Sequence, residues 1–171
     1  MYQIFHHKQA KLFLFDENTV KPYDFEKNMT FNHIFVPYDG SNYSKHAFHT
    51  ALEIAIKFGS KITISTYLFY PPEEELCYTS EHATILDNQK SKVTEELNKL
   101  QEITTANKVT VEAHIIACTS VIEAIVTFAN AHKVDLIVMG TRGRTGFKPL
   151  LMGSVSIGVS QHAECPILLV K

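Results

Sequence analysis

The chain has 171 residues, 45% of them hydrophobic and 20% charged, a size and make-up that fit one globular domain with a full core. A formal net charge of −2 excludes the broad positive field that would recruit nucleic acid or an anionic membrane surface. No apolar run approaches the roughly 20 residues of a membrane-spanning helix, so no membrane partner is expected either. The one apolar run near the N-terminus, KLFLF, is too short for a signal-peptide core and is followed at once by Asp16 and Glu17. Three cysteines, Cys77, Cys118 and Cys165, form neither a CxxC pair nor a metal set, which fits buried thiols in a reducing cytoplasm.

In chain order, residues 1–30 stand apart. They mix polar clusters with that single apolar run and keep no period, which predicts an N-terminal arm with one short strand near Lys11 to Phe15. Met29 offers a start site for a shorter product. From Phe31 a domain spanning 31–171 begins with HIFVPYDGS, a β-rich run stopped by a proline and an Asp-Gly pair. SKHAFHTALEIAIKFGS then places apolar residues at 47, 48, 51, 52, 54, 55 and 58, a helical period closing on Gly59. KITISTYLFY predicts a strand ended by Pro71 and Pro72. After a polar segment, SKVTEELNKLQEI predicts a helix with Val93, Leu97, Leu100 and Ile103 on one stripe. VTVEAHIIA reads as a strand and SVIEAIVTFANAH as a helix capped by Ser120. VDLIVMG is apolar enough for burial on both faces, as in a parallel sheet. SVSIGVSQHA and PILLVK close the chain as helix and strand.

The order β-α-β-α-β-α-β-loop-α-β predicts an α/β fold, a doubly wound and mainly parallel five-stranded sheet with helices on both faces, Rossmann-like in plan. Such sheets take ligands at the carboxyl ends of their strands, where strand order reverses. PYDGS after the first strand of the domain and GTRG after the fourth are therefore expected to face one crevice.

The stretch VMGTRGRTGFKPLLMGSVS, residues 138–156, sets Gly140, Gly143, Gly146 and Gly153 directly behind an apolar strand, with Arg142, Arg144 and Lys148 among them. Glycine lets a ligand approach the backbone with no Cβ in the way. A glycine loop feeding a helix N-terminus aims several N–H groups at one point. With Ser154 and Ser156 in the first turn, that arrangement favours a phosphate. The basic side chains can add charge-assisted contacts. A flexible surface loop is the plain alternative. The P-loop pattern does not fit, because Thr145 stands five residues after Gly140, and the first strand ends in PYDGS rather than GxGxxG.

Gly140-x-x-Gly143, nine residues, then Gly153-Ser154 resembles the G-2x-G-9x-G(S/T) signature of the universal stress protein family. The likeness runs from Phe31 to Lys171 and includes VPYDGS, DLIVMGTRGRTG, LLMGSVS and HAECPILLVK in that order. It implies the same fold, of the adenine nucleotide alpha hydrolase-like type, and a cytoplasmic ATP-binding regulator of stress responses. The implied ligand is ATP, with or without Mg2+, and AMP or a related adenine nucleotide is the alternative. Position by position, the resemblance puts Asp39 near the adenosine moiety with Pro37 beside it. It puts Met139 and Gly140 at base and ribose, Gly143 toward ribose and phosphates, and Gly153, Ser154, Val155 and Ser156 around the phosphates. Arg142, Arg144 and Lys148 are read apart from the resemblance, as phosphate contacts or as residues that only solvate the loop. Tyr67 stands where the family usually has an aliphatic residue whose backbone meets the adenine, and ACTSVIEAI stands where relatives often have Gly-Asp-Pro. The arm has no counterpart in the family's minimal domain. Relatives dimerise by pairing the last strand across a two-fold axis, so the apolar edge from Pro166 to Val170 implies a homodimer.

Spacing offers no nucleophile–base pair, no GxSxG elbow and no carboxylate pair for Mg2+; Asp39 is the single well-placed carboxylate. Binding with little or slow hydrolysis is therefore expected. A weak nucleotide hydrolase and a nucleotide-free interaction module of the same fold are the alternatives. The nine histidines predict no metal site: His6 and His7 lie in the arm, and His46 and His49 at i, i+3 have no third ligand placed beside them. Asp39 as a turn former and Ser154 as a helix N-cap are the plain readings of those two residues.

Overall fold

The computed structural model describes residues 10–13, 31–69, 80–144 and 152–171. Its strands are β1 (Ala10–Phe13), β2 (His33–Pro37), β3 (Lys61–Phe69), β4 (Val111–Cys118), β5 (Leu136–Gly140) and β6 (Ile167–Val170). From β2 onward they alternate with α1 (Asn42–Phe58), α2 (Ser80–Ala106), α3 (Val121–Ala131) and α4 (Ser154–His162). One sheet results, in the order β1-β6-β5-β2-β3-β4. The strands β2 to β6 are parallel, giving the expected five-stranded parallel sheet, and β1 is added antiparallel along β6. The chain lays β3 and β4 to one side of β2, then returns to lay β5 and β6 on the other. Strand order thus reverses between β2 and β5, where an open α/β sheet forms its crevice.

Both faces of the sheet are covered, which is why β2 and β5 are buried along their whole length. On one face Ile34, Val36, Ile64 and Val138 pack against Phe48 and Ala51 of α1 and Leu97 of α2. On the other, Phe35, Ile137, Met139 and Leu169 pack against Ile125 and Ala129 of α3 and Val159 of α4. Helix α1 starts where Ser41 Oγ accepts the Ser44 N–H at 3.1 Å. It ends as expected on Gly59, whose φ of 71° is the left-handed conformation that favours glycine there.

Helix α2 begins at Ser80 rather than near Ser91. Residues 80–90 carry too few apolar positions to make a stripe, yet none is glycine or proline, so nothing stops the helix from propagating. The expected stripe also shifts at its end. Leu97 and Leu100 are buried, but Ile103 is 39% exposed and Thr104 is fully buried in its stead. Positions 97, 100 and 104 follow the 3.6-residue period, while 103 is turned about 100° away. Burying a threonine is tolerated because its hydroxyl donates to the Leu100 carbonyl at 2.6 Å.

The short strand expected in the arm is β1, with Ala10 opposite Val170 and Phe13 opposite Ile167. The outer edge of β6, which the sequence reading assigns to a second copy, is hydrogen-bonded here to the chain's own arm. Among the described residues no helix is long and apolar enough to cross a membrane.

Candidate functional site

The carboxyl ends of β2 and β5 are followed by two loops. After Pro37, which is buried and aligned with Ser65 of β3, the chain turns through Tyr38, Asp39 and Gly40 into α1. Gly40 has a φ of 79°. Asp39 accepts two N–H groups: Ser41 donates to Oδ1 at 3.0 Å and Arg144 donates to Oδ2 at 3.1 Å. Asp39 therefore forms a turn, as its plain reading holds, and also ties the loop after β2 to the loop after β5.

Three glycines of the signature sit where backbone segments meet. A Cβ on Gly143 would lie 2.8 Å from Asp39 Oδ2. On Gly140 it would lie 2.7 Å from Tyr43 Cβ and 2.9 Å from the Tyr43 carbonyl carbon. On Gly153 it would lie 3.3 Å from Arg142 Cα and 3.7 Å from the Gly143 nitrogen. The Gly153 N–H also donates to the Thr141 carbonyl at 2.8 Å, which brings the two ends of the loop together. Gly146 and Lys148 lie outside the described residues.

Helix α4 starts beside these contacts. Its N-cap is Gly153 and has no side-chain cap bond, so the reading of Ser154 as N-cap is corrected: Ser154 is the first helical residue. Glycine supplies no oxygen to cap the first turn. The amides of Ser154, Val155 and Ser156 thus keep the character of an uncapped helix start, a donor set for an anion. Ser156 is buried, and its hydroxyl lies 2.9 Å from the Thr141 carbonyl and 2.8 Å from the Gly153 carbonyl. It fastens α4 to the loop.

Arg142 is held against α1. Its Nη1 donates to the Tyr43 hydroxyl at 3.3 Å, and the guanidinium lies 5.7 Å from the centre of the Tyr43 ring. Arg144 contributes its main-chain N–H, and its residue is exposed. Met139 and Val155 pack into the core on the α3 and α4 side. Tyr67 lies on the same face of β3, where burial pushes its phenol above the ordinary range and its hydroxyl accepts from Ser65 Oγ at 2.8 Å. The structure thus joins Asp39, Gly140, Arg142, Gly143, Gly153, Ser154 and Ser156 around one point. Met139, Val155 and Tyr67 sit at its packed margin.

Two neighbours of the site went unread in the sequence. Tyr43 touches both Gly140 and Arg142, and its place in the first turn of α1, just after DGS, was the available signal. Glu96 of α2 accepts the Tyr38 hydroxyl at 3.0 Å and lies 3.6 Å from Lys45 Nζ. Burial, then Glu96, raises the Tyr38 phenol. A Cβ on Gly40 would come within 3.1 Å of Glu96 Oε2, so α2 buttresses the turn that carries Asp39. No local pattern singles out a glutamate in so polar a helix. Among the described residues, no group of three or more His, Cys, Asp or Glu could hold a metal ion.

The residues present fit a nucleotide better than a metal cluster: close-packed glycines, an uncapped helix start and an arginine face phosphate chemistry, and Asp39 offers acceptor lone pairs to hydroxyls. Residues 30–171 match the model of the universal stress protein family. A universal stress protein of Methanocaldococcus jannaschii is 33% identical over 138 residues, which cover 81% of this chain and 81% of that protein. Among solved structures, UspA from Lactobacillus plantarum superposes with a TM-score of 0.73 at 21% identity, covering 84% of this chain and all of that one. A universal stress protein from Archaeoglobus fulgidus, solved in complex with dAMP, has a TM-score of 0.59 at 21% identity, again covering 84% of this chain and all of that one. The chain belongs to the universal stress protein family.

Proposed function

We propose that the chain binds an adenine nucleotide, ATP in preference to AMP, and serves as a cytoplasmic regulator in stress responses with slow hydrolysis or none. One observation carries this reading: Gly140, Gly143 and Gly153 lie in close contact with Tyr43, Asp39 and Arg142, and they converge with Asp39 on the uncapped start of α4. Such a point offers main-chain donors to phosphates and a carboxylate to ribose hydroxyls. The dAMP bound by the Archaeoglobus fulgidus relative supports an adenine nucleotide as the ligand class. Bound nucleotide would tie the loop between Gly140 and Gly153 to α4 and stabilise the domain by mass action, about 2.7 kcal/mol at a hundredfold excess over Kd.

Slow turnover follows from the same residues. Phosphoryl transfer needs positioned metal and an oriented water or hydroxyl. Among the described residues, Asp39 is the one carboxylate joining the two loops, and it already accepts two N–H groups. The test is to denature the freshly purified protein and separate any released nucleotide, read near 260 nm. Thermal shifts follow, with ATP, AMP and GTP added to the emptied protein. Released adenine nucleotide or an ATP-selective shift supports the reading. Neither, at millimolar nucleotide, leaves the family fold acting here as an interaction module.

A further inference from the structure

Strand β6 consists of Ile167, Leu168, Leu169 and Val170, all buried. Its inner edge is taken by β5 in parallel and its outer edge by β1 in antiparallel sense. β1 is an addition to the shared fold: it precedes the matched residues 30–171, and the Lactobacillus plantarum and Archaeoglobus fulgidus structures are covered in full without a sixth of this chain. The addition lands on the sheet edge most in need of cover. The opposite edge, β4, is only partly buried and carries Glu112 and His114, charge-bearing residues of the kind that discourage edge pairing. β6 has no such device among its four residues.

The pairing that holds β1 is short. It is a four-residue ladder, and residues 14–32 separate β1 from β2. Closing so long a connection draws on chain entropy that a short ladder must offset. We propose that β1 is a displaceable guard of the β6 edge, and that the partner it holds off is a second copy of this chain, pairing β6 with β6. The edge accepts an antiparallel strand, as β1 shows. Two β6 strands related by a two-fold axis normal to the sheet are antiparallel by symmetry, so each donor on one meets an acceptor on the other. The homodimer expected through Pro166 to Val170 thereby acquires a condition, release of the arm.

Two full-length variants test it, without nucleotide, by sedimentation across a range of protein concentrations. Lys11→Pro with Leu12→Pro removes two successive N–H groups, which point to opposite sides of β1, so one ladder donor is lost whichever side faces β6. Leu12→Cys with Leu168→Cys places thiols at aligned positions, where oxidation staples β1 to β6. The double proline variant should dimerise about a hundredfold more tightly than the wild type if the guard is seated in nine chains of ten, because each of the two partners must release its arm and each release contributes about tenfold. The oxidised staple, located by peptide mapping, should stay monomeric where the wild type pairs, and reduction should restore pairing. Equal self-association of the double proline variant and the wild type overturns the proposal. So does open-ended aggregation in place of a dimer, dimerisation of the stapled chain, or a staple that closes between two chains. If circular dichroism shows that the proline variant does not fold, the staple alone decides, and equal association with and without it is the refuting result.

Discussion

Replacing Gly143 by alanine separates binding from stability. The added Cβ would lie 2.8 Å from Asp39 Oδ2, so the carboxylate must turn away and release the Arg144 N–H that it accepts at 3.1 Å. Its bond from the Ser41 N–H can remain. Losing one charge-assisted bond at a partly exposed site costs about 1–2 kcal/mol. Alanine also narrows the unfolded ensemble and returns about 0.4–1 kcal/mol. The net change is about 1 kcal/mol, or roughly 2–4 °C in Tm for a domain of this size. Gly140→Ala is the contrast. Its Cβ would meet Tyr43 Cβ at 2.7 Å and the Tyr43 carbonyl carbon at 2.9 Å, atoms fixed by α1 that cannot swing aside. Overpacking of that kind costs about 1–3 kcal/mol. Thermal unfolding followed by circular dichroism, with ATP titration calorimetry on both variants, reads the two effects. Gly143→Ala should stay within about 4 °C of the wild type yet bind ATP roughly tenfold more weakly, the equivalent of about 1.4 kcal/mol. Gly140→Ala should be the less stable of the two. Wild-type affinity in Gly143→Ala, or a larger loss of stability there than in Gly140→Ala, refutes the placement of the cradle.

Three further outcomes follow from the structure. Gly153→Val puts a branched side chain against Arg142 Cα and the Thr141 carbonyl, and nucleotide binding should disappear while the far-UV spectrum is kept. His33 is buried, with Nε2 2.8 Å from Thr63 Oγ1, and burial, then Lys61, holds its pKa below the ordinary 6.5. The folded state thus resists protonation more than the unfolded one. Stability from this group is complete above about pH 6.5 and declines as pH falls toward the depressed folded value, a slope in urea unfolding that His33→Asn should flatten. Burial raises the Cys165 thiol to about 11, so a brief maleimide pulse at neutral pH should leave it unlabelled in peptide maps until the protein unfolds.

The apolar run VDLIVMG that became β5 announced a sheet buried on both faces, and Gly59 and Ser120 marked helix ends that the structure keeps. Those signals are local: burial, φ and capping act within a few residues. The start of α2 was invisible because a polar helix start carries no stripe, and Thr104 displaced Ile103 because a hydroxyl bonded within its own helix can be buried. At the site, the spacing of Gly140, Gly143 and Gly153 was legible, but the reason for each glycine was not. It lies in Tyr43, Asp39 and Arg142, two of them about a hundred positions away from the glycine they crowd. Glu96 was hidden for the same cause, since its bond to Tyr38 joins two helix–strand units. The arm's apolar run predicted a strand, yet only the assembled sheet shows that it lies on β6. Pairing between chain ends depends on long-range register that no local pattern encodes.

The central claim is that the glycine signature and Asp39 hold an adenine nucleotide. Calorimetric titration of nucleotide-free protein with ATP and Mg2+, then with AMP and GTP, tests it most directly. The account predicts saturable binding with ATP preferred over AMP and GTP. A flat titration with all three, from protein shown to be folded, contradicts it.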